Sequence, residues 1–246
     1  MITLMSNENT VSVCVDEICI GMICLSENPH HKQNCYIELK LEYYDNSISA
    51  ELFEKLSQII RRPLQAMVSS CDTQIISFLA AGGFVCKRKC YEVEVTKEAY
   101  VEVDPQISLG RVNAGQREYD LCSKTMYEYY IETHERINPW TSDYANFCKH
   151  LPAEVICMKR DGKIVAHAFV EDNEIAYVSG TDAQLFAEFA RALVAEMLSK
   201  YETVCFESDD CDWAAMQLRS LFKNLDETSF DTYVYDNKRQ ISGEPV

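Results

Sequence analysis

Glycine is scarce in this chain. Only 8 of its 246 residues are Gly, half the ordinary frequency of ~7%, and nowhere do two glycines stand as Gly-x-Gly. That removes the dinucleotide fingerprint, and no glycine pair has the spacing of a nucleophile elbow. Gly110 and Gly115 do have the spacing of a phosphate-binding loop, but Gln116 and Arg117 follow where Lys and Ser/Thr are needed to meet phosphate and magnesium. Basic residues are also few: 23 Lys and Arg stand against 39 Asp and Glu, for a net charge of −16. A surface of that sign does not bind the phosphate backbone of nucleic acid or an anionic membrane, whereas a small cationic substrate suits it. Long apolar runs are missing as well. The longest, residues 75–86, is interrupted by Ser77 and two glycines and falls short of the ~20 residues that span a bilayer.

Cysteine is abundant, with 12 residues. Residues 1–10 carry neither a basic start nor an apolar run, so the expectation is a reducing, cytoplasmic compartment with unpaired structural thiols. No metal set emerges. His134-Glu135 begins like a zinc-protease helix, but Asn138 occupies the place of the second His. Cys86 and Cys90 share one face of an expected strand and stand too far apart for one ion. Cys211, near an expected helix start, reads as a packing residue, and His167 lies in an expected strand with no identified neighbour.

Periodicity shows one order of elements twice. In the first copy, strands are expected over 11–15, 18–25 and 35–43, a helix over 51–61 that Pro63 stops, a strand over 64–69, a helix over 73–81 and a strand over 85–95. The second runs through strands 154–159, 163–170 and 174–178, a helix over 184–200, a strand over 203–207, a helix over 212–222 and a strand over 230–235. Aligning the copies sets Cys71-Asp72 on Cys211-Asp212 and Val13-Cys14 on Ile156-Cys157. Between them, residues 116–150 read as two aromatic-rich helices broken at Asn138-Pro139. Pro105, Gly110 and Gly115 mark the expected division into domains 1–104 and 105–246, and residues 237–246 form a polar tail.

This order, with the run Phe78-Leu-Ala-Ala-Gly-Gly-Phe84 ahead of a strand, resembles the acetyl-CoA-dependent N-acetyltransferase superfamily, GNAT. The resemblance implies an α/β (α+β) chain of two tandem GNAT-like domains, each a mixed central sheet flanked by helices. It implies acetyl-CoA as cofactor, a pantetheine arm lying along the domain's fourth strand, and a pyrophosphate at the N-terminus of the next helix. That arrangement draws on orphan N–H groups and the helix dipole. In the second copy the corresponding cofactor residues are Tyr177, Val178, Ser179, Ala190 and Arg191. The family's loop, Gln/Arg-x-x-Gly-x-Gly/Ala, is degenerate. Counting back from Leu193 puts Glu188 and Ala190 at its glycines, and counting back from Leu56 puts Glu51 and Phe53 there. A carboxylate beside a pyrophosphate is adverse by ~1 kcal/mol even in water.

For acetyl transfer the resemblance assigns the base to Glu174, with Glu38 at the matching place of the first copy. The family's acid, a Tyr in the last helix, is replaced by Leu79 and Arg219, leaving Tyr91 and Tyr233 on the following strands as substitutes. The aromatic helices would wall a pocket for a small-molecule or peptidic amine through cation–π contacts. Two functions stay open: an N-acetyltransferase, or a non-catalytic binding or dimerisation protein that has lost its cofactor; a homodimer is a candidate assembly under either.

Overall fold

The computed structural model describes residues 1–100 and 107–236. The expected division at 104/105 and the polar tail 237–246 lie outside the described residues. The chain forms two compact units: Met1–Lys89 with Glu135–Thr141 and Thr228–Val246, and Cys90–His134 with Ser142–Glu227.

Unit 1 contains β1 (Ile2–Asn7), β2 (Thr10–Val15), β3 (Ile18–Ser26), β4 (Cys35–Leu41), α1 (Asn46–Ile60), β5 (Leu64–Ser69) and α2 (Thr73–Ala81). Next comes β6 (Val85–Thr96), whose residues from Cys90 on belong to unit 2. Unit 2 continues with β7 (Gly110–Asn113), α3 (Arg117–His134), α4 (Tyr144–Cys148), β8 (Glu154–Arg160), β9 (Lys163–Glu171), β10 (Glu174–Gly180), α5 (Ala183–Lys200), β11 (Thr203–Asp209) and α6 (Trp213–Arg219). The last strand, β12 (Phe230–Tyr235), returns to unit 1.

Within unit 1 the strands run β1-β2-β3-β4-β5-β12, and within unit 2 they run β7-β8-β9-β10-β11-β6. Each sheet is antiparallel except at one place, β4–β5 in unit 1 and β10–β11 in unit 2. The final strands are exchanged relative to the sequence order. β12 pairs antiparallel with β5, Phe230 opposite Ser69, and β6 pairs antiparallel with β11, Thr96 opposite Thr203. Tyr91 therefore belongs to unit 2. Tyr233 sits in the core of unit 1, where burial pushes its phenol up to about 12. This reverses their expected assignment. Strands β1 and β7 were not expected; each is short and mostly exposed, and its apolar signal is one buried residue, Ile2 or Val112.

Helices α1 and α5 explain why each sheet closes over a core. Leu52, Phe53 and Leu56 of α1 are fully buried with Val11, Val13 and Ile23 of the sheet. Phe186, Phe189, Ala190 and Leu193 of α5 are fully buried with Ala166, Ala168 and Val204. Burial of each large side chain is worth roughly 1.5–3 kcal/mol. Among the described residues no helix is long and apolar enough to cross a membrane.

Candidate active site

The single parallel pair of unit 2 is the place where the sheet opens. β10 and β11 meet only at Glu174 opposite Cys205, reinforced by the Cys205 amide donating to the Asn173 carbonyl at 3.0 Å. Beyond that point the strands part. A bulge helps to part them, because between Ile175 and Tyr177 the register against β9 slips by one residue, leaving Ala176 as the extra one. The edge of β10 facing β11 then carries no further ladder among the described residues, and such groups need a partner. The pair β4–β5 in unit 1 likewise meets only at its start, Cys35 opposite Leu64 and Tyr36 opposite Gln65, but β4 has no bulge.

Register places side chains on the two faces of β10. Ile175 and Val178 join the core under α5. Glu174, Tyr177 and Ser179 are register partners of Glu171, Phe169 and His167, so they share the opposite face, where Tyr119 of α3 packs edge-on against Phe169. Across β11 and β6 that face continues. Glu94 pairs with Cys205, itself level with Glu174, and Glu92 stands directly opposite Glu207. All four carboxylates are exposed. Like charges facing each other across a ladder destabilise it, and together the four make this part of the face negative. Burial, then Glu207 and Glu174 nearby, hold the Tyr177 phenol above its ordinary value, hence protonated.

At the open end, the C-terminus of α3 meets the end of β11. His134 Nε2 lies 3.5 Å from Asp209 Oδ2, its Nδ1 is 3.0 Å from the Tyr130 carbonyl, and the Tyr130 ring stacks on the imidazole at 3.9 Å. Tyr129 donates to the Asp212 carboxylate at 2.5 Å, and burial raises Asp212. The pocket beneath α3 has a volume of about 330 Å³. Its α3 lining is Glu118, Leu121, Cys122 and Thr125, not the expected aromatics. Tyr127, Tyr130, Phe147 and Tyr177 instead pack on one another as a ring cluster. His167 and Ser179 also line this pocket. His167 is 2% exposed, burial holds its imidazole down to about 4, the Cys122 backbone is its hydrogen-bond partner, and its Nε2 has none.

The loop before α5 lies in a different place from the one reached by counting back from Leu193. The helix starts at Ala183, with Asp182 as its cap. Ala190 is therefore ~10 Å along the helix and fully buried in the core, where it meets no ligand. Arg191 is just as far in, its carbonyl accepting from the Tyr100 hydroxyl at 3.1 Å. Glu188 is paired with Arg160 at 2.8 Å. In unit 1, Glu51 pairs with Lys55 at 2.7 Å and Phe53 is in the core. The strand-to-helix junction itself reads Tyr177-Val178-Ser179-Gly180-Thr181-Asp182, which sets Gly180 and Asp182 at the two glycine positions. A Cβ on Gly180 would lie 2.9 Å from the Phe186 ring, so packing requires glycine there. Of the expected cofactor residues, Val178 contributes backbone only, and Tyr177 and Ser179 face α3.

The fit to acetyl-CoA divides in two. The unladdered edge of β10 suits an extended arm that carries amides. The helix N-terminus does not suit a diphosphate, because Asp182 Oδ1 already accepts from the Gln184 and Leu185 amides at 2.8 and 3.0 Å. In unit 1 Asp45 caps α1 in the same way, accepting from Ser47 at 2.9 Å. Arg219, at the expected acid position, lies 4.2 Å over the Tyr91 ring and pairs with Glu227 at 3.0 Å. It is no proton donor. Glu38, the first copy's counterpart of Glu174, pairs with Lys40 at 3.0 Å. Among the described residues no group of three His, Cys, Asp or Glu side chains could hold a metal.

No family model and no curated protein matches the sequence. Among solved structures the chain is similar to a GCN5-related N-acetyltransferase from Sphaerobacter thermophilus, with a TM-score of 0.54 and 10% identity over 92% of this chain and 80% of that one. It is also similar to a GCN5-related N-acetyltransferase from Kribbella flavida, with a TM-score of 0.48 and 13% identity over 98% and 92%. A tandem GNAT protein from the clavulanic acid biosynthesis pathway matches with a TM-score of 0.45 and 10% identity over 92% and 82%. With the opened parallel pair repeated in both units, the first of these likenesses establishes that the chain has the GNAT fold, as two tandem units.

Proposed function

We propose that unit 2 is an acetyl-CoA-dependent N-acetyltransferase acting on a small or peptidic amine. The observation that carries this reading is the opened β10–β11 pair, whose closed end meets a sheet face bearing Glu92, Glu94, Glu174 and Glu207. Acetyl-CoA, when bound, supplies the acetyl group as a thioester. The free edge of β10 holds the arm, and the four carboxylates draw in the protonated amine. Glu174, at the closed end, takes the ammonium proton on its carboxylate, since only the neutral amine has a lone pair to attack with. The Tyr177 hydroxyl, kept protonated by its surroundings, is the donor on the same face.

The test is turnover of the purified protein with a polyamine, an amino sugar and a lysine peptide. Glu174→Gln should lower kcat by about 10²-fold or more with acetyl-CoA affinity unchanged. Equal loss of both would make Glu174 a structural residue. Asp182 favours a second reading, a binding or dimerisation protein that no longer takes the cofactor. Absence of acetyl-CoA binding by the natural protein would establish it.

A further inference from the structure

The β2–β3 hairpin of unit 1 holds two cysteines in direct cross-strand register. Cys14 is the partner of Cys19, one pair in from Val15 opposite Ile18. The connection is Asp16-Glu17, both with positive φ, 48° and 71°, a two-residue turn of the kind that matches strand twist. In such a hairpin the pair closing the turn exchanges backbone hydrogen bonds. The next pair, here Cys14 and Cys19, does not in a regular ladder, where its Cα atoms approach to ~4.5 Å; here the pair borders a bulge, since Val13 faces Gly21 and Ile20 is the extra residue on the Cys19 side. The regular separation lies at the short end of the ~4.4–6.8 Å a disulfide bridges. The two thiols are close enough to influence each other: burial, then the neighbouring Cys19, push the Cys14 thiol up, while the Cys19 sulfur also lies 3.7 Å from the Gly21 carbonyl. Cys19 is exposed and Cys14 is 6% exposed. Cys14 and Cys19 are free thiols in this structure, so the pair is reduced but already aligned.

We propose that Cys14 and Cys19 form a two-thiol modification site that closes to a disulfide by exchange with a low-molecular-weight disulfide such as oxidised glutathione. The accessible Cys19 loses its proton, and its thiolate attacks one glutathione sulfur. A mixed disulfide forms and one glutathione thiolate leaves. Cys14 then loses its proton and attacks the Cys19 sulfur, releasing the second glutathione. The two protein thiols are oxidised by two electrons, and one glutathione disulfide is reduced to two thiols. Cys19 is the entry point because it is exposed, and Cys14 is the resolving thiol because it is adjacent and sheltered. The exposed Cys71 lies outside the paired strands with the Thr228 hydroxyl 3.8 Å from its sulfur, so on it the same reagent stops at the mixed disulfide.

The experiment treats the full chain with oxidised glutathione and maps every cysteine by differential alkylation and peptide mass. The peptide spanning residues 14–19 should lose two hydrogens and carry no glutathione, and both its thiols should become inert to alkylation until reductant is added. Cys14→Ser should instead trap glutathione on Cys19. Should that variant fail to fold, the wild-type map alone decides. A stable glutathione adduct on Cys19 of the wild type beside an alkylatable Cys14 would overturn the proposal. So would oxidation elsewhere with both thiols still reactive.

Discussion

Replacing His167 by Leu should make unit 2 more resistant to acid. An unfolded chain protonates an imidazole near pH 6.5, but the sealed His167 resists protonation until about pH 4. Between those values the unfolded state holds a proton that the native state lacks, so stability falls as pH drops. Above pH 6.5 the contribution is fully present, and by pH 4 it has diminished by about 3 kcal/mol, at ~1.36 kcal/mol per tenfold difference in proton affinity. Asp212 opposes this trend, since its raised carboxyl binds a proton more tightly in the native state. The quantity to read is therefore the difference between wild type and His167→Leu. The chain has two tryptophans, and they fall one to a unit: Trp140 in unit 1, and Trp213 in unit 2 against Phe186 at 5.4 Å. In a Trp140→Phe background, urea unfolding followed by Trp213 fluorescence reports unit 2 alone. Between pH 7 and pH 4 the His-bearing protein should lose about 3 kcal/mol more than the Leu variant. Parallel curves would mean that His167 takes its proton as readily in the native state as in the unfolded chain, and the sealed-imidazole argument would be wrong.

Three further outcomes follow from the site. Asp182→Gly, which frees the Gln184 and Leu185 amides at a cap cost of only a few tenths of a kcal/mol, should tighten acetyl-CoA binding in calorimetry by about fivefold, the worth of one helix-terminus anion contact at ~1 kcal/mol. Glu188→Gly, which breaks the pair with Arg160 and weakens the interior of α5 by up to ~1 kcal/mol, should leave affinity unchanged, and equal gains from both would refute the placement of the loop. Gly180→Ala sets a Cβ at 2.9 Å from the Phe186 ring and should cost about 1–3 kcal/mol, read as a lower melting midpoint; an unchanged midpoint would show that Phe186 yields freely.

Much of the fold is legible along the chain because helices α1 and α5 and strands β5 and β12 carry strong apolar periodicity. The helix start is legible too, in the residue that caps it. Asp182 is a capping residue four positions ahead of Phe186, the first buried residue of α5, and its type marks the boundary where counting back from Leu193 overshoots into the core. Ala176 gives no sign of the bulge, since an extra residue in a strand is visible only against its partner. The acidic face is not readable at all from local pattern. Glu92 and Glu94 lie in the first half of the chain and Glu174 and Glu207 in the second, and only the exchange of final strands brings them to one sheet.

That exchange also has a timetable. Strand β5 emerges from the ribosome ~160 residues before its partner β12, which at about 5–20 residues per second is a wait on the order of ten seconds or more. Through that interval Ala66 and Val68 belong to an edge with no neighbour on the β12 side, the kind of edge that recruits strands from other chains. Slower synthesis or a chain cut short before residue 230 should therefore lower the yield of soluble product more than the loss of the seventeen residues 230–246 suggests.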